Sequence, residues 1–169
     1  MIMGLELAFL IMASSFPYLL ALGLGIVAGL RSLTAPAAVT WAACLGWLDL
    51  HGTPLAFMGS RVAVVIFSLA AVAEYVADKL PRTPSRTKPG SVIGRMVLGG
   101  LAAACISVSA GQSWLAGALF GGIGALIGTY GGYHIRRRLV SGLRVKDIAI
   151  AIPEDLVAIG LAYLLVSRS

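Results

Sequence analysis

The sequence predicts an all-α protein, a polytopic transmembrane helical bundle of about six segments. Three observations carry this expectation. Of 169 residues, 59% are hydrophobic and only 12% are charged, with a mean hydropathy of +0.93, whereas soluble domains carry about 25% charged residues. The apolar runs approach the length of about 20 residues that a spanning helix needs. The basic residues are gathered into short stretches between those runs. Such a composition excludes a soluble globular protein, a disordered tail and a coiled coil. One compact transmembrane domain over residues 1–169 is expected.

The first apolar segment covers about residues 5–30. Its first charge is Glu6, so the basic region of a cleaved signal peptide is missing and the segment is expected to stay in the bilayer. The second covers about 33–48 and would be about 24 Å long, short for a hydrocarbon core of about 30 Å. Only Arg31 and Ser32 separate these two. They read either as two spans with a tight turn, or as an interfacial helix up to Phe16 followed by one broken span from Pro17 to Leu48. The remaining segments cover about 60–80, 92–110, 114–135 and 148–166.

The loops orient the bundle. Lys79, Arg82, Arg86, Lys88 and Arg95 surround one Pro-rich stretch, and Arg136, Arg137, Arg138, Arg144 and Lys146 follow the fifth segment, ten of the thirteen basic residues together. Cytoplasmic loops carry such an excess, so both loops are expected inside. The C-terminus and the loop of residues 49–59 are then outside. The net charge of +6 therefore points to anionic lipid headgroups at Lys79 to Arg95 and at Arg136 to Lys146, and not to nucleic acid. Trp41, Trp47 and Trp114 all fall near the outer face, as an aromatic belt would.

Glu74-Tyr-Val-Ala recurs as Asp155-Leu-Val-Ala, each after a Gly-rich segment that ends in polar residues. Split as 1–88 and 89–169, the chain has three segments per half, and an odd number makes the halves run in opposite directions. Inverted repeats of this kind place transporter sites at the repeat interface, often at broken helices.

The candidate ligand- or ion-binding residues are polar groups inside or beside apolar segments. Arg31, Ser32 and Thr34 precede Pro36, and Pro removes a backbone donor. A helix broken there would expose backbone groups to a cavity, while Ser and Thr can re-satisfy them. Arg31 would attract an anion or pair with a buried carboxylate; its alternative place is a cytoplasmic turn between two spans. Glu74 and Asp78 are four apart and share a helix face, with Asp78 close to the helix end. Glu74 is seven residues before Pro81, roughly 10 Å deeper along a helix. A charge at the membrane centre costs about 2.5–3.5 kcal/mol on insertion scales, so Glu74 should face the bundle interior. Glu154 and Asp155 follow Pro153, which suits the first turn of a helix. Counted eight residues on from Lys146, Glu154 would instead lie about 12 Å deep, level with Glu74.

Gly29, Gly124, Gly128 and Gly131, with Pro36, are packing or hinge candidates, since small residues let helices approach closely. Tyr130 joins the candidate ligand set beside its ordinary reading as an interfacial anchor, and His134 is a weaker proton-relay candidate. Cys44 and Cys105 lie far apart in apolar stretches and are expected in the core. No catalytic set and no cofactor is expected, and no metal spacing is evident.

The stretches GLRSLTAP at 29–36, AEYVADKLPRTPSRTKPG at 73–90, GTYGGYH at 128–134 and EDLVAIG at 154–160 resemble a family of small bacterial membrane proteins catalogued as domain of unknown function 4126. The resemblance covers about residues 22–166. It implies a multi-span helical protein of the bacterial cytoplasmic membrane and carries no activity with it.

The expected function is a small transporter or channel for an ion or small polar solute, with the site near mid-membrane at broken helices. The alternatives are a membrane enzyme acting on lipid or isoprenoid phosphates and a non-catalytic assembly protein. Against the enzyme stand the lack of an Asp-rich motif and of a Ser/His/Asp set. The Gly-rich faces would suit a homodimer.

Overall fold

A computed structural model describes residues 2–78, 87–143 and 147–169, with the side chains of 15–78, 87–142 and 150–169. The described residues form six α-helices and no strand: α1 (Ile2–Leu30), α2 (Thr34–Cys44), α3 (Arg61–Ala77), α4 (Pro89–Ser109), α5 (Trp114–Leu143) and α6 (Asp147–Val166), with one 3-10 turn (Ala56–Gly59) before α3.

Local chemistry accounts for several helix ends. Ser60 caps α3, its Oγ accepting from the Ala63 N–H at 3.1 Å. Pro89 occupies the first position of α4, where its missing N–H would have no helical partner. Gly46 has φ +80° and turns the chain just after α2. The second segment is therefore shorter than its apolar run, ending at Cys44 instead of Leu48. Helix α5 continues beyond Ile135 through Arg136, Arg137 and Arg138 to Leu143. Helix α6 begins at Asp147, so Pro153, Glu154 and Asp155 lie inside it and not in its first turn.

Helices α1 and α2 form an antiparallel hairpin with a tight turn at residues 31–33. Leu30 contacts Arg95 near the start of α4, whereas Tyr18 contacts Gln112 just beyond its end. Thr34 meets Tyr75 near the end of α3, whereas Asp49, beyond α2, meets Ser109 at the end of α4. The single broken span from Pro17 to Leu48 is thus not what forms. The 31–33 reversal, the end of α3 and the starts of α4 and α6 share one end of the bundle, called here the turn end.

Helices α1, α4 and α5 form the tightest part of the bundle. Added Cβ atoms at Gly25 and Gly29 of α1 would overlap the α5 backbone, and at Gly124 and Gly128 of α5 the α1 backbone. Dispersion between two backbones in direct contact requires residues without side chains. Helix α2 lies on α1, α4 and α6, while α3 packs chiefly on α2. Leu24, Val27, Val39, Met58, Ile106 and Ala158 belong to one buried cluster. Cys105 is buried with them, but Cys44, at the end of α2, is exposed.

The outward faces remain apolar. Val62, Val65, Ile66, Leu69, Val72 and Val76 of α3 are all exposed, as are Leu156, Val157 and Leu164 of α6. Contiguous apolar surface of this extent is unusual on a water-exposed monomer. Two stretches, Pro89–Ser109 and Trp114–Gly142, are long and apolar enough to cross a membrane.

Candidate functional site

A three-residue reversal between two helices leaves carbonyls at the end of one and N–H groups at the start of the next without helical partners. Here side chains from three other helices supply them. Arg95 of α4 donates through Nη1 to the carbonyls of Gly29 at 2.6 Å and Leu30 at 3.1 Å. Thr129 of α5 donates to its own Ala125 carbonyl at 2.7 Å and lies 3.3 Å from the Gly29 carbonyl. Glu74 of α3 accepts from the Ser32 N–H at 2.8 Å, the Ser32 hydroxyl at 2.6 Å and the Leu33 N–H at 2.9 Å. A cation thus caps the C-terminus of α1 and an anion the N-terminus of α2, the signs that the two helix dipoles favour. Arg95 Nη2 lies 3.8 Å from Glu74 Oε1, so the caps also attract each other.

Arg31 sits in the middle of the reversal with no exposed surface. Its guanidinium is ion-paired with Asp78, which ends α3, and with Asp155 of α6 at 2.5 Å. Glu154 is 4.0 Å away and itself takes Arg136 of α5 at 3.1 Å. The Arg31 guanidinium carbon is 5.7 Å from the centre of the Tyr75 ring, close enough for a cation–π contribution. Four of the seven acidic residues thereby meet three arginines. Removing one partner from such a buried pair costs about 3–5 kcal/mol, because a buried charge is left behind.

The cluster is recessed. Arg95 is six residues into α4, about 9 Å from its start, and Asp155 is eight residues into α6, about 12 Å from its start. The reversal thus stops well short of the starts of α4 and α6, while it is level with the end of α3. Two apolar recesses flank it. One of about 400 Å³ lies over α2 between α3 and α6, reaching from Thr34 and Tyr75 to Trp47 and Val166. The other, of about 300 Å³, lies between α5 and α6 beside Arg136 and Pro153.

Of the residues picked from sequence, Arg31, Ser32, Thr34, Glu74, Asp78, Glu154 and Asp155 come together at the turn end. Tyr130 does not: it is 45% exposed on the outer side of α5. His134 is exposed and stacks edge-on with Tyr133, away from the cluster. Pro36 is buried at the third residue of α2, where no helical N–H bond is required, so the break falls at 31–33 and not at the proline. Gly29, Gly124 and Gly128 make close backbone contact, but a Cβ at Gly131 would meet open space, so packing does not require glycine there.

Arg95 and Arg136, expected at lipid headgroups, join the cluster, and so do Thr129 and Tyr75, which the sequence does not single out. Arg95 lies inside α4 and is only 4% exposed, not in a headgroup-facing loop. Its spacing of four from Ser91, followed by a run of small and apolar residues, was the available signal; the two side chains meet at 3.4 Å. Arg136 likewise turns towards Glu154. Lys79, Arg82, Arg86, Arg144 and Lys146 lie outside the described residues. Among those described, no group of three or more His, Cys, Asp or Glu is arranged to hold a metal ion.

No curated protein and no solved structure matches the chain. The motifs that build this cluster fall within the stretch that a family profile recognises, residues 18–167, so the chain belongs to the family described as domain of unknown function (DUF4126).

Proposed function

We propose that this chain is a multi-pass protein of the bacterial cytoplasmic membrane, with its turn end in the cytoplasmic half, and that it is a small transporter or channel for an ion or small polar solute. The observation that carries this reading is Arg31, fully enclosed and held between Asp78 of α3 and Asp155 of α6. Ionisable groups held inside apolar bundles are costly and tend to mark ion pathways and proton relays. Helix ends that open inside the bundle are where transporters bind ions and solutes. The descent of residues 1–88 and 89–169 from one inverted unit belongs to the same reading; α1 and α4, which open the two halves, run in opposite directions.

The chemistry follows from the pairing. Arg31–Asp155 and Arg136–Glu154 each link α6 to a different part of the bundle. Protonation of Asp155, or a cation taking the place of Arg31 on it, weakens one link and lets α6 shift against the reversal. The decisive measurement uses purified protein in liposomes, with imposed gradients of H⁺, Na⁺, K⁺ and Cl⁻ read by entrapped indicator dyes. Wild type is expected to dissipate at least one gradient, and Asp155→Asn and Glu154→Gln to lose that flux while keeping their helix content. Wild-type liposomes as tight as empty ones, or equal flux in both variants, would sink the reading.

A second reading has its own support. Glu74 and Arg95 both bind the backbone of the reversal directly, so the cluster also works as scaffolding that holds a recessed hairpin. On that reading the same two variants lose stability and wild type carries no flux.

A further inference from the structure

We infer that the cleft between α3 and α6 is a binding site for a neutral, elongated lipophile whose polar end is a single oxygen acceptor, such as an ester carbonyl. This goes beyond the ion or solute pathway and does not depend on it. The floor of the cleft is α2, whose Ala37, Ala38 and Ala42 keep it low. Helices α3 and α6 flank that floor without packing closely on each other. The volume of about 400 Å³ falls in the range of small-molecule sites, about 300–1,000 Å³. From Thr34 to Leu45 the floor is twelve residues, about 16 Å long, roughly half of a bilayer core. This shape suits one extended chain.

The lining sets the chemistry. Trp41, Trp47 and Tyr163 supply aromatic walls, and the Trp41 N–H is already donated to Ser68 Oγ at 3.0 Å. Next to the lining positions on α3, Leu69 and Val72 are exposed and apolar, so entry is sideways from apolar surroundings. At the turn end the cleft closes on the hydroxyls of Thr34 and Tyr75, 2.6 Å apart. Two hydroxyls carry two protons, and the bond between them uses one. Either hydroxyl can donate in that bond, so the second proton sits on Thr34, 5% exposed, or on the half-buried Tyr75, and among the described residues neither has a further acceptor. An oxygen acceptor seated in the cleft would take that second proton. The head carries no negative charge, because the one Arg31 guanidinium behind the Tyr75 ring already faces two carboxylates, Asp78 and Asp155.

The chain has three tryptophans, two of them in the cleft, so a brominated ligand reports its own binding by quenching. Full-length Trp114→Phe protein in detergent micelles is titrated with the methyl ester of dibrominated stearic acid and, at equal mole fraction in the micelle, with the dibrominated alkane of similar length. Saturable quenching is expected, about five-fold tighter for the ester, the value of one hydrogen bond. The double variant Thr34→Val, Tyr75→Phe should bring the ester down to the alkane, and Ala38→Phe should remove saturable quenching by both. The ester–alkane difference in wild-type side chains stands as the readout if the double variant does not fold. Quenching that never saturates, equal affinity for ester and alkane, or indifference to Ala38→Phe would overturn the assignment. So would an absence of quenching in a dimer that Ala38→Phe dissociates, since a second copy would then fill the cleft.

Discussion

Replacing Glu74 by Gln removes one acceptor and one charge from the reversal at residues 31–33 while keeping the size of the side chain. The native carboxylate, 9% exposed, accepts three hydrogen bonds between 2.6 and 2.9 Å. The amide oxygen can keep the Ser32 N–H and hydroxyl. The amide nitrogen then faces the Leu33 N–H, donor against donor. The loss is one charge-assisted bond, about 1.5–3 kcal/mol net, with a part-buried N–H left unsatisfied at about 1–3 kcal/mol. Because these overlap in one contact, a destabilisation of about 3 kcal/mol is expected. Glu74→Ala removes all three acceptors and should cost about 4 kcal/mol, at the edge of the usual range for point mutants. Unfolding in mixed micelles with increasing SDS, followed by far-UV circular dichroism, gives the difference. Asp49→Asn is the control, since the Asp49 side chain accepts from the His51 N–H in an exposed loop and its bond to Ser109 is made by the backbone, and it should change stability by less than about 0.5 kcal/mol. A Glu74→Gln protein as stable as that control would refute the claim that this carboxylate holds the turn.

Other replacements test other parts of the bundle. Arg95→Met should destabilise by about 3 kcal/mol or more, because two carbonyls lose their donor and the Glu74 carboxylate its counter-charge, whereas Arg137→Met, on the exposed side of α5, should be silent in the same unfolding assay. Gly124→Ala should cost about 1–3 kcal/mol through overlap with the α1 backbone; Gly131→Ala should be neutral or gain about 0.5–1 kcal/mol from helix propensity. Equal effects of the two would show that α1 and α5 do not meet as described. Maleimide should label Cys44 in the folded protein and reach Cys105 only after denaturation; mass spectrometry reads the stoichiometry, and rapid double labelling would contradict the burial of α4.

Much of the site was legible because charge inside apolar sequence is costly and therefore conspicuous. Arg31, Glu74 and Glu154 with Asp155 stand out on that ground alone, and Asp78 follows from its spacing of four to Glu74. Arg95 and Arg136 were not legible, since a basic residue beside a basic loop looks the same whether it faces headgroups or a buried carboxylate. Tyr130 was overread for the converse reason: an aromatic residue at a helix end carries no signal of which way it faces. Pro36 misplaced the break by a few residues, because proline is as well suited to the first turn of a helix as to a rupture in one.

Composition and hydrophobic run length settled the all-helical class and the number of helices, because the length of an apolar run and the cost of an unsatisfied backbone are local properties. The choice between a tight hairpin and a broken span, the partner of each arginine, and the cleft over α2 were decided only by packing. They depend on which helix lies beside which. That is set by the summed contacts of small residues on α1, α4 and α5, and no single stretch of sequence contains both sides of those contacts.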